Sequence, residues 1–448
     1  MNWKENSRIA RFWHKNAEEN KIECDLCPRH CKLKHEQMGF CLVRGAVGQS
    51  LHTFNYGRAV QATLECMETE AIYHYMPGTK ALSMGNIGCS MSCSYCQNWQ
   101  TSQIKHLNPD NVKNYSPEQV VEIALLNNIE VISWTYNDPV VWHEFVVDTS
   151  KLAHKNGIKT LYKSALYIEE EPLNELLDVI DIFSISLKCM NPLIYKKYNK
   201  GELEPVLRGI KQIGKSGKHL EISQLIVTGL NDDGTDAIKT ARWMLENLSD
   251  TVPLHLVAYH PAFRYSQPRT SVESLLNLRK LVFSEGIKHC YIGNVYSENV
   301  SNTLCKKCNY LLVERFGLTV NATGLNKNGL CNKCGERSVI INPLASKNKQ
   351  SISHATHVPV QQFEFIWSEE INSLHVVLEE NYNTDIFIMT ERFPDGNIEQ
   401  IPIHKGIERV IFSKNSINEK KILISSNNGA KLRIMPLSDR AHFPVLND

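Results

Sequence analysis

From Ala81 onward, short apolar runs alternate with longer stretches whose apolar residues recur at helical spacing. The runs Ala81–Ile87, Glu130–Thr135, Lys159–Lys163, Ile182–Leu187, Leu220–Val227, Leu254–Tyr259 and Lys288–Ile292 predict strands. Between them Pro117–Asn127, Val140–Asn156, Glu171–Val179, Glu204–Ser216, Thr235–Leu248 and Val272–Glu285 predict helices. Apolar strands separated by helices of about ten residues or more argue for a parallel sheet in a β/α series. The expected fold is α/β: an open, partial (β/α)6-type barrel with one extra strand. In such barrels chemistry collects at the C-terminal ends of the strands.

The pattern changes on either side of this series. The start, to about Asn20, reads as one amphipathic helix with Trp3, Ile9, Phe12 and Trp13 near one face. Residues 51–80 read as a lead-in hairpin and loop. Residues 342–357 are polar and Ser-rich and read as a linker. Beyond it Phe363–Trp367, Leu374–Leu378, Asp385–Met389, Arg409–Phe412, Lys421–Ile424 and Lys431–Met435 predict short strands, with turns at Pro394-Asp395-Gly396 and Asn428-Gly429. The expected domains are 1–56 (helix and four-cysteine extension), 57–300 (barrel), 301–341 (four-cysteine ribbon), 342–357 (linker) and 358–448 (an all-β sandwich). The sandwich carries no catalytic cluster, His375 and His404 being single, and its expected role is docking a protein partner or substrate, or stability alone.

A chain of 448 residues suits several domains, and its net charge of +1 gives no global field for nucleic acid or anionic membrane. No long apolar run predicts a membrane span, and the first residues show no apolar signal core, so a cytoplasmic protein is expected. Of fourteen cysteines, eleven fall in three tight groups, a distribution that favours metal over disulfides. Cys24, Cys27, Cys31 and Cys41 can close an all-thiolate zinc site or ligate an iron–sulfur cluster; the shortness of the stretch weighs slightly toward zinc. His30 and His35 beside them are expected to be solvated loop residues. Cys305, Cys308, Cys331 and Cys334 have the paired C-x-x-C spacing of a zinc ribbon. Lys306, Lys307, Arg315, Lys327, Lys333 and Arg337 would allow the ribbon to meet a partner or nucleic acid.

The central group follows the first predicted strand. Cys89, Cys93 and Cys96, spaced C-x3-C-x2-C, offer three thiolates, each able to hold one iron of a [4Fe–4S] cube. The fourth iron then stays open for substrate chemistry. Tyr95 adds an aromatic ring beside the last cysteine. Further strand ends supply polar groups for a pocket: Thr135-Tyr136-Asn137-Asp138, Lys163-Ser164, Ser186-Leu187-Lys188, Tyr259-His260 and Gly293-Asn294. Asp138 is equally read as a helix cap, Lys188 as a surface lysine and His260 as a core histidine.

With these motifs, and with Cys24-x-x-Cys27-Pro-Arg-x-Cys31, Gly39-Phe40-Cys41, Tyr73-His74-Tyr75-Met76-Pro77-Gly78 and Cys96-Gln97-Asn98-Trp99, the chain resembles the radical S-adenosylmethionine (SAM) enzyme of the AmmeMemoRadiSam system, a relative of the pyruvate formate-lyase activating enzymes. The resemblance covers about residues 20–340. It implies a [4Fe–4S] cluster on Cys89, Cys93 and Cys96, and SAM bound near Tyr136, Asn137, Lys188 and His260. It also implies reductive cleavage of SAM to a 5′-deoxyadenosyl radical, an external one-electron donor, and a substrate that it does not name, in an oxidoreductase or transferase reaction. Glycyl-radical activation is not carried over, because the four-cysteine ends are not typical of activating enzymes. The family usually has Glu at Asp138, Asp at Ser186, and Ser-Asn-Gly at Ser164-Ala165-Leu166. In related enzymes acids and hydroxyls at these strand ends hold a cation beside the SAM carboxylate; here Lys163 is expected to supply that charge. Two alternatives stay open: cleavage giving a 3-amino-3-carboxypropyl group for transfer, and a non-catalytic, metal-rich adaptor.

Overall fold

The computed structural model describes residues 7–16, 20–295, 299–316 and 319–342, and beyond them the backbone of seven strands. The chain divides into two units, 1–346 with 444–448, and 347–443.

In the first unit the predicted series forms as an open barrel. Its strands are β1 Lys80–Asn86, β2 Val131–Thr135, β3 Lys159–Ser164, β4 Ile182–Leu187, β5 His219–Ile226, β6 Leu254–Ala258 and β7 Cys290–Gly293. They lie side by side in chain order, all parallel. The crossovers are α1 Pro117–Leu126, α2 His143–Lys155, α3 Glu170–Val179, α4 Leu203–Lys215, α5 Thr235–Asn247 and α6 Val272–Glu285. Local chemistry starts these helices where the pattern predicts. Ser116 and Gln119 form a reciprocal capping box on α1, and the Ser271 hydroxyl accepts from the Ser274 N–H at the start of α6. Each helix turns an apolar stripe inward, as Val206, Ile210 and Ile213 do on α4. These stripes cover strands whose Ile132, Trp134, Tyr162, Phe183 and Ile222 are fully buried.

The sheet does not end at β1. Arg58–Cys66 pairs antiparallel with it, and Lys113–Asn114 pairs antiparallel in turn with the start of that strand, making nine strands in all. The expected lead-in hairpin is therefore split. Ser50–Thr53 pairs with Arg44–Val47 and Arg8–Ile9 in a separate sheet, while Arg58–Cys66 joins the barrel.

The expected N-terminal helix is replaced by strands Arg8–Ile9 and Trp13–Asn16, the latter paired with Lys21–Cys24. Phe12 has φ 54°, which breaks any helix there. Tertiary bonds hold the segment extended. The Arg11 N–H donates to Glu144 Oε1 at 2.8 Å, and its guanidinium reaches Glu175 and Asp148, each at 2.8 Å. Trp3 lies outside the described residues.

The ribbon module carries a sheet of Thr303–Leu304, Leu311–Phe316 and Thr319–Asn321. Arg315 does not face a partner. It is buried, 3.1 Å from Glu68, and donates to the Tyr73 carbonyl at 2.6 Å and to Thr303 Oγ1 at 2.7 Å, so it clamps the ribbon to the barrel.

The second unit is all-β. One sheet orders Thr356–Pro359, Lys431–Leu437, Ser373–Leu378 and Arg409–Ser413; the other orders Gln362–Ile366, Lys421–Ser426 and Ile386–Thr390. Every pairing is antiparallel. The six predicted strands are present. A seventh, Thr356–Pro359, begins inside the stretch expected to be linker, where a short edge strand ending in Pro escapes a composition reading. The two predicted turns, His404 and the linker residues 343–355 fall outside the described residues, as does the side chain of His375. Among the described residues no helix is long and apolar enough to cross a membrane.

Just before β7, His289 packs edge-on to the His74 ring at 4.6 Å. Burial lowers its imidazole from the ordinary 6.5 to about 4; Glu221 and Asp250 oppose this and Lys306 adds to it. The folded value lies below the unfolded one, so the stability linked to the neutral ring is complete above pH 6.5 and is lost as pH falls toward 4. Thermal unfolding followed across that window should show the loss, and His289→Gln should flatten it.

Candidate active site

β1 ends at Asn86, and the chain turns at Gly88 with φ 81°. Only glycine fits there: a Cβ would stand 2.8 Å from Val43 Cγ1 and 3.1 Å from the Cys41 carbonyl oxygen. The Asn86 amide holds the turn by donating to the carbonyls of Ile87 at 3.0 Å and Gly88 at 3.2 Å. Cys89, Cys93 and Cys96 follow directly.

Two residues from the end of β2 seat this loop from below. Asp138 is buried and accepts from the Ser90 hydroxyl at 3.1 Å and the Ser164 hydroxyl at 2.6 Å; it also caps the short helix Pro139–Trp142 through the Val140 N–H at 3.4 Å. Burial raises its carboxyl above the ordinary value, and these donors pull it back. Asn137 donates to the Asn86 carbonyl at 2.5 Å and to Thr101 Oγ1 at 3.1 Å, tying the loop's exit to β2. Asn137, Asp138 and Ser164 thus bond to the cysteine loop and to one another's elements and are not among the residues that line the adjoining cavity.

Each of the three sulfurs has a polar hydrogen nearby. The Met91 N–H meets Cys89 Sγ at 3.4 Å, the Asn199 amide meets Cys93 Sγ at 3.3 Å, and the Ser102 hydroxyl lies 3.3 Å from Cys96 Sγ. Burial pushes the Cys89 and Cys93 thiols up. Polar groups set 3.3–3.4 Å from all three sulfurs are what a thiolate-held cluster uses, so the loop fits one. The same Asn199 amide donates to Tyr95 Oη at 2.5 Å and fixes the ring behind the loop. Among the described residues the groups of three or more metal-ligand side chains whose donor atoms gather within 4.8 Å are the four ribbon cysteines and the surface set His14, Glu23 and Asp25. In the ribbon, Cys305 Sγ lies 3.6 Å from Cys334 Sγ, and Cys308 Sγ 3.8 Å from Cys331 Sγ, so these four can hold one metal ion.

Above the loop, at the C-terminal ends of the strands, lies a cavity of about 540 Å³. Cys93, Tyr95 and Cys96 form one wall; Tyr136, Lys163, Ser186 and Lys188 come from the ends of β2, β3 and β4. Tyr136 has φ 66° and lays its hydroxyl on Glu65 Oε1 at 2.9 Å and Thr63 Oγ1 at 2.5 Å. The Lys163 ammonium lies 3.4 Å from the buried Glu70 carboxylate and donates to the Thr69 carbonyl at 2.8 Å, so its charge is already met by an acid of the chain. Lys188 has no carboxylate within 4.0 Å among the described residues. His260 stands outside the wall, half-buried, with its Nε2 3.4 Å from Asn294 Nδ2. His30 and His35 are solvent-exposed.

Three residues that sequence reasoning missed belong to this site. Asn199 ends an irregular helical turn, Tyr195–Asn199, that carries no motif. Glu70 sits in a loop and also accepts from Ser83 at 2.6 Å and Thr135 at 2.9 Å. Ser223 on β5 lines the cavity beside Ser186, and only its inward register would have signalled it.

Comparison with known proteins places this geometry. Residues 86–244 match the model of the Radical SAM superfamily. The chain is 36% identical over 338 residues to the uncharacterized protein MJ0808 of Methanocaldococcus jannaschii, covering 75% of this chain and 99% of that one. It is 24% identical to the 4-hydroxyphenylacetate decarboxylase activating enzyme of Clostridium scatologenes, over 46% of this chain and 72% of that enzyme. The pyruvate formate-lyase-activating enzyme of Streptococcus mutans is also 24% identical, over 39% of this chain and 68% of its own length. The chain belongs to the radical SAM superfamily, in a family related to the pyruvate formate-lyase activating enzymes, and it is an enzyme.

Asp138→Ala would strip an acceptor from two buried hydroxyls. It is expected to cost about 1–3 kcal/mol of stability, with Asp138→Asn recovering part, as read from chemical unfolding of each variant.

Proposed function

We propose that this enzyme cleaves SAM reductively at a [4Fe–4S] cluster held by Cys89, Cys93 and Cys96, giving a 5′-deoxyadenosyl radical that takes hydrogen from a substrate in the adjoining cavity. The observation that carries this reading is the placement of Cys93 and Cys96 in the wall of that cavity, at the strand ends. The chain's own residues do the preparatory work. Asn86, Asn137 and Asp138 hold the loop rigid, while Asn199 and the Met91 N–H donate to its sulfurs. Tyr95, Tyr136 and Ser186 bound the cavity and limit water. Lys188 is the cation in that wall available to an anionic group, such as the carboxylate of an amino acid.

The cysteine motifs, taken together, support a place in the AmmeMemoRadiSam branch. At the ribbon, sulfurs 3.6 and 3.8 Å apart match a tetrahedral zinc with bonds of about 2.3 Å, and we assign a structural zinc there. Cysteines grouped for metals in this way suit a reducing, cytoplasmic setting.

The test is anaerobic: reconstitute the protein, add dithionite and SAM, and identify products by mass spectrometry. 5′-Deoxyadenosine is expected from the wild type and not from the Cys89→Ala/Cys93→Ala/Cys96→Ala variant. Its persistence in the variant would sink the reading. A second measurement separates the two lysines. Lys188→Met should weaken SAM binding to the cluster-loaded protein about tenfold, the size of one lost charge-assisted hydrogen bond. Lys163→Met, whose partner is Glu70, should change it by less than about twofold.

A further inference from the structure

The four N-terminal cysteines are the one cysteine group that the proposed function leaves without a task. We propose that Cys24, Cys27, Cys31 and Cys41 hold a second [4Fe–4S] cluster, set against the cysteine loop as its electron inlet. The inlet role rests on the reading of Cys89, Cys93 and Cys96 given above.

Sulfur spacing is the first ground. Two sulfurs bound to the same zinc at about 2.3 Å stand at most about 4.6 Å apart. Two ribbon sulfur pairs, at 3.6 and 3.8 Å, fall well inside that limit, and all four sulfurs gather within 4.8 Å. The N-terminal four do not gather so, and neither do Cys89, Cys93 and Cys96. A cube with a thiolate on each corner spreads its ligands farther than one ion can reach. Four thiolates then complete a cube, with no open corner for SAM. The N-terminal set therefore follows the cluster loop and departs from the ribbon.

A buried cation gives an independent sign of a ligand. All four cysteines wall one small cavity, whose other walls include Leu26, Phe40 and Arg44. Arg44 is 2% exposed. Its Nη1 donates to Glu144 Oε1 at 2.8 Å and its Nη2 bonds the Arg11 carbonyl, but its Nε has no partner. A buried guanidinium N–H without an acceptor is costly. An anionic cluster with its sulfurs in this cavity supplies the acceptor that Nε lacks, beside the charge pairing that Glu144 already provides.

Position gives the site its task. Ser90, next to Cys89, lines this same cavity, and Arg29 Nε donates to the Ser90 carbonyl at 2.7 Å. The Cys41 carbonyl packs so close to Gly88 that a Cβ there would stand 3.1 Å away. The two cysteine sets thus share a wall of backbone, across which an electron would pass from one to the other. The electron count is simple. A low-potential one-electron donor protein reduces the second cluster by one electron. That electron passes to the first cluster, and the second returns to its oxidised state with no bond or proton exchanged.

The experiment is iron and zinc analysis, with EPR, of the anaerobically reconstituted full chain and of its Cys89→Ala/Cys93→Ala/Cys96→Ala variant, which leaves the N-terminal site untouched. The wild type should hold about eight irons and one zinc per chain, and the variant about four irons and one zinc. After dithionite reduction the wild type should show two magnetically interacting clusters and the variant one isolated signal. A variant with no iron and about two zincs overturns the proposal. Two clusters without magnetic interaction overturn the inlet role. A wild type that holds only the variant's complement of iron would leave the second cluster standing and remove the proposed function instead, so the two readings fail separately.

Discussion

A cysteine loop can present its sulfurs at a strand end only if the loop itself is held still, and in this protein Asp138 is the group that holds it. Its two oxygens reach the loop through Ser90 and β3 through Ser164, while its backbone follows three residues after the end of β2. One buried carboxylate thus joins three adjacent elements directly beneath the cysteines. Neighbouring amides extend the same device: Asn86 and Asn137 close the turn and the exit of the loop, and Asn199 fixes Cys93 and Tyr95 from the far side of the barrel. The residues expected to touch a cofactor and the residues that position its ligands are therefore partly different sets.

Buried charge does similar work at longer range. Arg44 and Glu144 join the N-terminal four-cysteine segment to α2, and Arg315 and Glu68 join the ribbon to the loop before β1. Glu221 on β5 accepts from His219 and His255 at 2.9 and 2.7 Å and from the N–H groups of Tyr73 and His74 at 2.9 and 2.7 Å. Burial works against its charge, but the two imidazoles hold the carboxyl well below its usual range. Such pairs add little net stability over apolar packing, yet breaking one leaves a charge stranded, so they specify where each module sits.

Much of the architecture was legible in the chain. All seven barrel strands and six helices lie where the hydrophobic period placed them, because β/α alternation is written in local spacing. Tyr95, Tyr136, Lys163, Ser186 and Lys188 do come together around one cavity. Asp138 and Ser164 met each other instead of the cavity, and His260 stands outside its wall. Residues at a strand's end point alternately to either side, and sequence position alone does not say which.

The sequence by itself determined the strand–helix series, the run of cysteines after the first strand and the paired spacing of the ribbon. These depend on periods and intervals of a few residues, which side-chain size and ligand geometry make readable. Only the tertiary structure decided that the N-terminal segment is extended, that Lys163 belongs to Glu70, that Arg315 is an internal clamp and that Cys41 lies against Gly88. Each of these is a contact between residues far apart in the chain, up to 247 positions for Arg315 and Glu68. Burial and charge pairing settle such contacts after the chain has folded, and they overrule local propensity when the two disagree.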